Sequence, residues 1–228
     1  MNKRSSLSKD AQVYNLIKEA LLDRKLSPGQ KILYRDLEEM FGMSKTPIIN
    51  ALVRLEQEGL VISHRNRGFY VREHKAKEIV QMYDLRMRLE EIAIDYAIDN
   101  GHEKDLLHLK KTLNDYLAYP FELYDAQRFK LDTAFHCAIA QMGENPFLIS
   151  MLGQFYQSVW IGLNIVLLSP LIPSFRQDHE MLYQAIERKD RIEAKRIMKL
   201  HEERSLDVAK GQFPKMKMGS FRTGELNQ

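Results

Sequence analysis

Residues 28–60 constrain the chain most strongly, because they contain two short helical patterns on either side of a tight turn. The expected apolar faces are Leu33, Leu37 and Met40 in the first helix, and Ile48, Ala51, Leu52 and Leu55 in the second. Gly42 can adopt the positive φ that ends a helix, and Ser44 can cap the first N–H groups of the next one. The layout predicts a helix-turn-helix, whose second helix enters the DNA major groove.

The second helix has an outward face that suits base recognition. Opposite its apolar side lie Thr46, Ile49, Asn50 and Val53, and Lys45 stands at the N-terminal end. Asn can form a bidentate contact with adenine, Thr and Ile can touch a thymine methyl group, and Lys can reach guanine or phosphate. An ordinary helical hairpin with a solvated outer face is the alternative interpretation, and this motif alone does not decide between the two.

The following segment predicts a β-hairpin with a basic tip. Residues 60–62 and 69–71 have strand-like sequences, and the tip supplies turn residues and two cations, Arg65 and Arg67. A basic hairpin directly after a helix-turn-helix is typical of a wing, which lies over phosphates or reaches into the minor groove. In isolation, the same tip is an ordinary solvated turn.

The distribution of charge agrees with a nucleic-acid-binding N-terminal segment. Residues 1–74 carry 13 Lys+Arg against 9 Asp+Glu, whereas residues 75–228 carry 21 against 22. The 228 residues suffice for two modest domains, and the single cysteine excludes an internal disulfide. We find no signal-peptide pattern and no apolar run of 18 residues, so we expect no membrane span and a cytoplasmic protein.

Beyond residue 78 the sequence shows only helical periods, with no strand signal. The expected helices cover approximately residues 78–98, 106–117, 126–142, 146–168, 175–188 and 190–210. The buried stripe of the first is expected to be Ile79, Met82, Leu85, Leu89, Ile92 and Ala93. The predicted fold is mainly α: a winged helix-turn-helix in residues 1–74, an antiparallel bundle of about six helices in 75–210, and a disordered tail in 211–228.

Four side chains of the metal-ligand type fall on apolar helix faces of this bundle. Asp132 and His136 are i, i+4 neighbours, and His179 and His201 lie on the apolar faces of two later helices. A lone His in such a place is usually a satisfied core residue, but a buried Asp is costly without a partner, and a metal explains all four. Three imidazoles and one carboxylate suit a divalent metal, with Zn²⁺ as the first choice and Ni²⁺, Mn²⁺ or Fe²⁺ as alternatives.

The N-terminal motifs resemble the winged-helix domain of GntR-type transcription regulators. The matching segments are PG at 28–29, RDL at 35–37, SKTPIINAL at 44–52 and LEQEGLV at 55–61. The resemblance implies DNA contacts by Arg35, Lys45, Thr46 and Gly68. The family usually has Arg at position 45 and Arg-Glu at 49–50, so its usual operator sequence does not carry over to a chain with Lys45, Ile49 and Asn50.

The helical region resembles the ligand-sensing domain of the FadR branch of that family. The matching residues are Arg86-x-Arg88-Leu89-Glu90, Asp132-x3-His136, Asp178-His179 with the apolar positions that follow, and His201. In that branch the corresponding Asp and three His bind a divalent metal, over which a small organic acid is sensed. Helix phase further directs Arg86 and Asn164 toward the bundle, where they can bind an effector carboxylate.

The leading hypothesis is a homodimeric transcription regulator, not an enzyme, whose binding to a double-stranded DNA operator is controlled by a small carboxylate effector. One alternative is a metal-dependent hydrolase or oxygenase fused to a DNA-binding module. Such an enzyme needs a general base beside the metal, and the nearest free carboxylates in the sequence are Glu144 and Glu180. A second alternative is a bundle in which the metal is only a structural staple.

Overall fold

The computed structural model describes residues 8–120, 123–163, 167–168 and 172–211. Its helices are α1 (Lys9–Leu22), α2 (Tyr34–Phe41), α3 (Lys45–Gln57), α4 (Ala76–Asn100), α5 (Glu103–Ala118), α6 (Ala126–Met142), α7 (Pro146–Gly162), α8 (Ile172–Glu187) and α9 (Arg191–Lys210). Its strands are β1 (Lys31–Ile32), β2 (Val61–His64), β3 (Gly68–Val71), β4 (Leu123–Tyr124) and β5 (Leu167–Leu168). No helix in these ranges is both long and apolar enough to cross a membrane.

The first three helices and the first three strands form a winged helix. Strands β2 and β3 make the predicted hairpin, and β3 also pairs antiparallel with β1, a third strand that the sequence did not reveal. Helix α3 buries Ile48, Ala51, Leu52 and Leu55, as its period predicts. Helix α1 packs against α3 through Val13 and Ile17, which are fully buried.

Two details of the helix-turn-helix differ from the prediction. In α2 only Leu37 is buried, whereas Leu33 precedes the helix as its N-cap, and both Leu33 and Met40 are exposed. An eight-residue helix makes about two turns, so a single central residue suffices to anchor it. Gly42 ends α2 with a φ of 64°, as expected, but the side chain of Ser44 accepts no capping hydrogen bond.

Helices α4–α9 form the expected six-helix bundle. Helix α4 packs against α9, α6 and α7, and α5 packs against α6 and α8. Helices α4 and α7 run antiparallel, because Tyr83 contacts Phe155 and Tyr96 lies beside Gly143. The core of the bundle contains aromatic side chains from α5, α6 and α7, among them Tyr116, Phe135 and Trp160.

The buried face of α4 is rotated from the predicted one. Leu85 and Ile92, expected inside, are exposed, whereas Tyr83 and Glu90 are buried, and Arg86 faces the bundle as its helical phase predicted. Apart from Arg86, the prediction followed the apolar residues alone. Ion pairs within the bundle satisfy the charged members of the face that is buried.

The region between the helices also differs from the prediction. The expectation of no strand beyond residue 78 was wrong, because β4 and β5 pair antiparallel. Helix α7 ends at Gly162 rather than near residue 168, and α8 begins three residues earlier than expected. The candidate effector residue Asn164 and residues 212–228 of the predicted tail lie outside the described residues.

Candidate metal centre and DNA-binding surface

The four predicted metal ligands come together inside the bundle. Asp132 and His136 on α6, His179 on α8 and His201 on α9 are all buried, and one potential ligand atom from each lies within 4.8 Å of the other three. The Nε2 atom of His179 is 3.2 Å from Nε2 of His136 and 3.4 Å from Oδ1 of Asp132. The three imidazole rings have centroids between 4.8 and 5.2 Å apart.

The local sequence explains why these side chains converge. Asp125 caps α6 by accepting a hydrogen bond from the Arg128 N–H, so the helix starts about two turns before Asp132 and about three turns before His136. Asp190 caps α9 in the same way through the N–H of Glu193. Ring contacts of His179 with Tyr116 (4.4 Å) and Phe135 (4.6 Å) further fix its position.

The pKa values of the three histidines are displaced in different directions. Burial, and then the proximity of His201 and His136, lower the pKa of His179 well below its ordinary value. Burial also lowers the pKa of His201, although Asp178 opposes it. Burial acts in the same direction on His136, but the Glu90 carboxylate outweighs it, and the pKa of His136 is raised.

The surroundings of these ligands fit a divalent metal. A metal-bound imidazole commonly donates its second N–H to a carboxylate, which fixes the ring and its tautomer. Here Oε1 of Glu90 lies 3.2 Å from Nδ1 of His136, and Oδ2 of Asp178 lies 3.6 Å from Nδ1 of His201. Arg204 in turn donates to Asp178. The residues present therefore supply both a ligand set and the carboxylates that orient two of its rings.

The predicted DNA contacts lie on three neighbouring elements of the winged helix. Arg35 stands at the start of α2. The outward face of α3 carries Lys45, Thr46, Ile49 and Asn50. The wing carries Arg65, Arg67 and Gly68. All are exposed except the partly buried Ile49 and Gly68, and Gly68 has a φ of 88°. Tyr34 joins the three elements: its ring contacts Phe69 of β3 at 6.4 Å and lies 5.3 Å from the Lys45 Nζ.

The N-termini of α2 and α3 differ from those of the other helices whose caps are described. Ser8, Asp125, Asn145 and Asp190 cap α1, α6, α7 and α9, while Glu78 and Asp105 accept the N-cap N–H groups of α4 and α5. The N-cap side chains of α2 and α3, Leu33 and Ser44, accept no such bond. Helix N-termini without a side-chain cap, next to Arg35 and Lys45, form a surface suited to phosphate.

Two family models match the chain. The model described as "Bacterial regulatory proteins, gntR family" matches residues 9–71, and the model described as "FCD domain" matches residues 81–204, which is more than half of the chain. The chain belongs to the GntR family of bacterial regulatory proteins.

Individual relatives agree with this assignment. This GntR-family protein is 29% identical over 211 residues to the Uxu operon regulator of Haemophilus influenzae, covering 83% of this chain and 77% of that protein. It is 27% identical over 194 residues to the HTH-type transcriptional regulator McbR of Escherichia coli, covering 83% and 87%. A match of 30% over 142 residues to the uncharacterized HTH-type transcriptional regulator YdhC of Bacillus subtilis covers 62% and 63%.

Solved structures show the same fold. The structure of E. coli McbR/YncC superposes with a TM-score of 0.78 at 23% identity, covering 92% of this chain and all of that one. A GntR regulator from Rhodococcus sp. RHA1 gives 0.76 at 17% identity, covering 91% and 100%. The family models and the relatives, rather than these structures, make the chain a transcription regulator with an N-terminal DNA-binding domain and an FCD domain, and the relatives are themselves regulators, not enzymes. Glu144 and Glu180, considered above as catalytic bases, are both exposed.

The sequence prediction missed two buried carboxylates beside the metal-ligand cluster. Glu90 on α4 and Glu202 on α9 are both buried, and together with His136 they form a second close group. Burial raises the pKa of Glu202 to about 7, despite the opposing charge of Arg86. Burial also raises the pKa of Glu90, but His136 and Arg86 outweigh it and lower that pKa to about 2. Both residues follow core positions of their helices by four, so the helical phase could have revealed them.

Arg86, a predicted effector contact, faces the bundle but already has partners there. Its Nη2 donates to the Tyr156 hydroxyl at 2.6 Å and lies 2.9 Å from Oε1 of Glu202, while its Nε lies 3.5 Å from Glu90. The Tyr156 hydroxyl in turn donates a hydrogen bond to Glu90 at 2.6 Å, which extends the network to that carboxylate. Arg86 therefore forms part of a buried network that reaches the candidate metal ligand His136.

Proposed function

We propose that this regulator binds its operator with an affinity set by a small carboxylic acid bound over a divalent metal in the FCD domain. The observation that carries the proposal is the convergence of Asp132, His136, His179 and His201 from three helices. Four potential ligands that are all buried and within 4.8 Å of one another are difficult to explain by packing alone, because polar groups are costly to bury without partners.

The donor set favours Zn²⁺, with Ni²⁺, Mn²⁺ or Fe²⁺ as alternatives. Imidazole nitrogen is a common ligand for all of these ions, and three imidazoles with one carboxylate match their preferences. On an ion that accepts six ligands, four protein ligands leave two positions for water or for an oxygen of an acid. A bound metal would supply a positive charge that attracts a carboxylate into the core of the bundle.

The charge around the site supports a carboxylate as the effector. We propose that a carboxylate bound over the metal would lie within reach of Arg86, which could add a charge-assisted hydrogen bond. That guanidinium also contacts Glu202, so an entering acid shares it with, or displaces, a carboxylate of the protein. We therefore propose that Arg86 contacts the effector, and we retain Asn164 as a second proposed contact.

The proposed DNA-binding mode uses the outward face of α3 and the wing. Asn50, Thr46 and Ile49 read base edges in the major groove, while Arg35 and Lys45 bind phosphate or guanine. Arg65, Arg67 and the backbone at Gly68 approach phosphates or the minor groove. The uncapped N-termini of α2 and α3 support this mode, because their N–H groups are suited to phosphate oxygens. Such a role places the regulator in the cytoplasm with the bacterial chromosome.

A two-fold symmetric operator requires a dimer, and the FCD domain has a surface suited to one. Leu85, Ile92 and Tyr96 on α4 and Phe147 and Met151 on α7 are exposed large apolar side chains on two adjacent antiparallel helices. Phe147 is the most exposed of them, at 80%. Contacts between protein subunits have apolar, often aromatic centres. We propose that a second copy of the chain packs on this α4–α7 face.

One experiment tests metal, assembly and effector together. The chain is purified without chelators, and its mass is measured under native conditions alongside elemental analysis. The proposal predicts a dimer with one divalent metal per chain and added mass from a co-purified small acid in part of the population. Metal that remains fully bound in a His136→Ala/His179→Ala variant contradicts the assigned ligands, and a monomer that footprints a single half-site contradicts the dimer.

A further inference from the structure

The winged helix and the FCD domain meet at a compact junction formed by Arg24, His74 and the last turn of α7. Arg24 follows α1 with a left-handed backbone, φ 57°, and its Nη2 donates to the carbonyl oxygens of Trp160 (2.9 Å) and Leu163 (2.8 Å). Its guanidinium carbon lies 4.0 Å from the centre of the Trp160 ring. A cation at the C-terminal end of α7 also complements the helix dipole.

Contacts in the opposite direction reinforce this junction. Trp160, which is 1% exposed, donates its indole N–H to the carbonyl oxygen of Leu22 at the end of α1 (2.8 Å). The backbone N–H of His74, in the link that follows the wing, donates to the Gly162 carbonyl (3.1 Å). The fit is tight, because a Cβ on Gly162 would lie 2.2 Å from the ring of His74. The end of α1 and the interdomain link are therefore both fixed to the same turn of α7.

The junction is connected to the metal-ligand cluster through aromatic rings. Trp160 stacks on Phe129 at 4.5 Å, with 16° between the planes. Phe129 is on α6, three residues before Asp132 and seven before His136, so the three side chains share one buried face. A shift of α6 would therefore displace the ring against which Trp160 packs, because closely packed interiors transmit small movements.

On the other side, the junction is connected to the recognition helix α3. Helix α1 is bound to α3 by the Tyr14 hydroxyl, which donates to Glu58 (2.7 Å), and by Lys18, whose Nζ is 2.9 Å from the same carboxylate. Arg54 of α3 stacks over the Tyr14 ring at 3.8 Å. Together with the buried side chains between them, these contacts hold α1 against α3. A change at the end of α1 would therefore reach the base-reading face.

We propose that Arg24 and Trp160 are the positioning residues that couple the metal site of the FCD domain to the orientation of the recognition helix. The inference rests on the proposed function, since it presupposes that a metal binds at Asp132, His136, His179 and His201. Neither residue touches metal or DNA. Each acts by holding the ends of α1 and α7 in one arrangement, so that a change in α6 reaches the winged helix.

The chain reports on this junction directly, because Trp160 is its only tryptophan. Zn²⁺ is titrated into the full-length, chelator-treated protein while Trp160 emission and operator affinity are both recorded. For the wild type, the account predicts a change in emission and a change in operator affinity of roughly 5- to 150-fold, the usual range of allosteric coupling. The Arg24→Gln variant is expected to bind Zn²⁺ normally but to lose the change in affinity. Arg24→Lys, which keeps the charge, is expected to retain part of it.

The control is Arg191→Gln, which removes a surface ion pair with Asp95 and Asp99 inside the FCD domain and is expected to couple like the wild type. If Arg24→Gln does not fold cooperatively, Trp160→Phe tests the coupling instead, because it retains a ring beside Phe129 but lacks the hydrogen bond to Leu22. This variant has no tryptophan, so only the Zn²⁺-dependent change in operator affinity is measured. A full wild-type affinity change in the Arg24 variant, or in Trp160→Phe, overturns the coupling role while leaving the metal site intact. A wild type that binds no Zn²⁺ instead overturns the proposed function, and this inference with it.

Discussion

The Nε2 atoms of His136 and His179 lie 3.2 Å apart, although the residues are on different helices and both side chains are fully buried. Two protons cannot occupy this space without conflict, and protonation of both rings would bring like charges together in a core. One N–H···N hydrogen bond between neutral rings fits this distance, and so does the proposed metal ion, to which each nitrogen would donate a lone pair. The pair is therefore compatible with the metal site proposed at Asp132, His136, His179 and His201.

Removal of two ligands should abolish metal binding. We expect the His136→Ala/His179→Ala variant to lose its stoichiometric metal, because two of four ligands are missing. Elemental analysis and native mass spectrometry give the ratio. His108→Ala, which changes an exposed histidine on α5, is the matched control and should keep one metal per chain.

In the wild type, chelation should lower the melting temperature of the FCD domain before that of the winged helix. A single thermal transition that chelation does not change would argue against a bound metal.

Substitution of Asn50 should relax base preference in the operator. The Asn50 amide donates to Asp10 at 3.2 Å, which orients it on the outward face of α3. A good bidentate contact to a base contributes about 1–3 kcal/mol of discrimination, so Asn50→Ala should flatten the preference at one position in each half-site by that amount. A competition assay against a library of operator variants measures this. An unchanged preference profile would show that Asn50 does not read a base.

Substitution of Arg35 or Lys45 should weaken binding to every operator variant tested. A residue that contacts phosphate contributes about equally across sequences, and its loss lowers the salt dependence by about one released counterion. Affinity is therefore measured for Arg35→Ala and Lys45→Ala over a range of salt concentrations. Lys104→Ala, an exposed lysine on α5, serves as the control. Full affinity and an unchanged salt slope in both DNA-facing variants would remove these residues from the interface.

The Tyr14–Lys18–Glu58 cluster should make the winged helix sensitive to acid. Burial raises the pKa of Glu58, but hydrogen bonds from Tyr14 and Lys18 outweigh it and depress the pKa below its ordinary 4.5. A depressed carboxyl pKa gives stability that is complete above the unfolded value and is lost as pH falls through the folded value. Glu58→Gln should cost about 1 kcal/mol at pH 7, and the difference from the wild type should narrow as pH falls below 4.5.

Urea unfolding at pH 7 and at pH 3.5 measures this difference. Glu39→Gln is the control, because the Glu39 carboxylate is 75% exposed and its nearest cation, Arg35, is 3.9 Å away. Its free energy of unfolding should follow that of the wild type at both pH values. A constant difference between Glu58→Gln and the wild type would exclude ionisation of Glu58 as the source of its stabilising effect.

Charged substitutions on the α4–α7 face should dissociate the proposed dimer. Ile92→Asp and Phe147→Asp place carboxylates in the apolar centre of the contact, where desolvation is costly. Sedimentation is expected to show monomers for these variants and dimers for the wild type. Leu107→Asp, on an exposed position of α5, should remain dimeric. A dimer that survives both substitutions places the interface on another surface.

The sequence predicted the convergence of Asp132, His136, His179 and His201 because the signals are local to single helices. Asp132 and His136 are one helical turn apart, and the observed bounds of α6 agree with those expected. Short elements were harder: α2 buries one expected residue of three, and the two-residue strands β4 and β5 carry no periodic signal. Buried charge was hardest, because Glu90 and Glu202 are placed in the core by contacts with other groups. Arg86 lies beside both, and it comes from one turn earlier in the same helix for Glu90 and from a distant helix for Glu202.

The interdomain contacts were also beyond sequence analysis. His74 directly follows the wing in the sequence, among polar residues, but its ring is buried and lies 3.0 Å from the Ser158 hydroxyl. Arg24 likewise has the sequence context of a solvated helix end. Arg24 and His74 both contact residues of α7, and those residues are more than 80 positions away in the chain. Such contacts depend on how two domains pack, and no local pattern encodes them.

The most direct test of the account measures operator affinity while small acids are added, with and without metal. Hydroxy, keto and dicarboxylic acids are titrated against the complex of the wild-type protein with its operator. If the acid binds over the metal, at least one acid should shift operator affinity in the Zn²⁺-loaded protein and none should do so after chelation, because an effector acts only through its different affinities for two states. An equal shift in the metal-free protein would contradict the central claim.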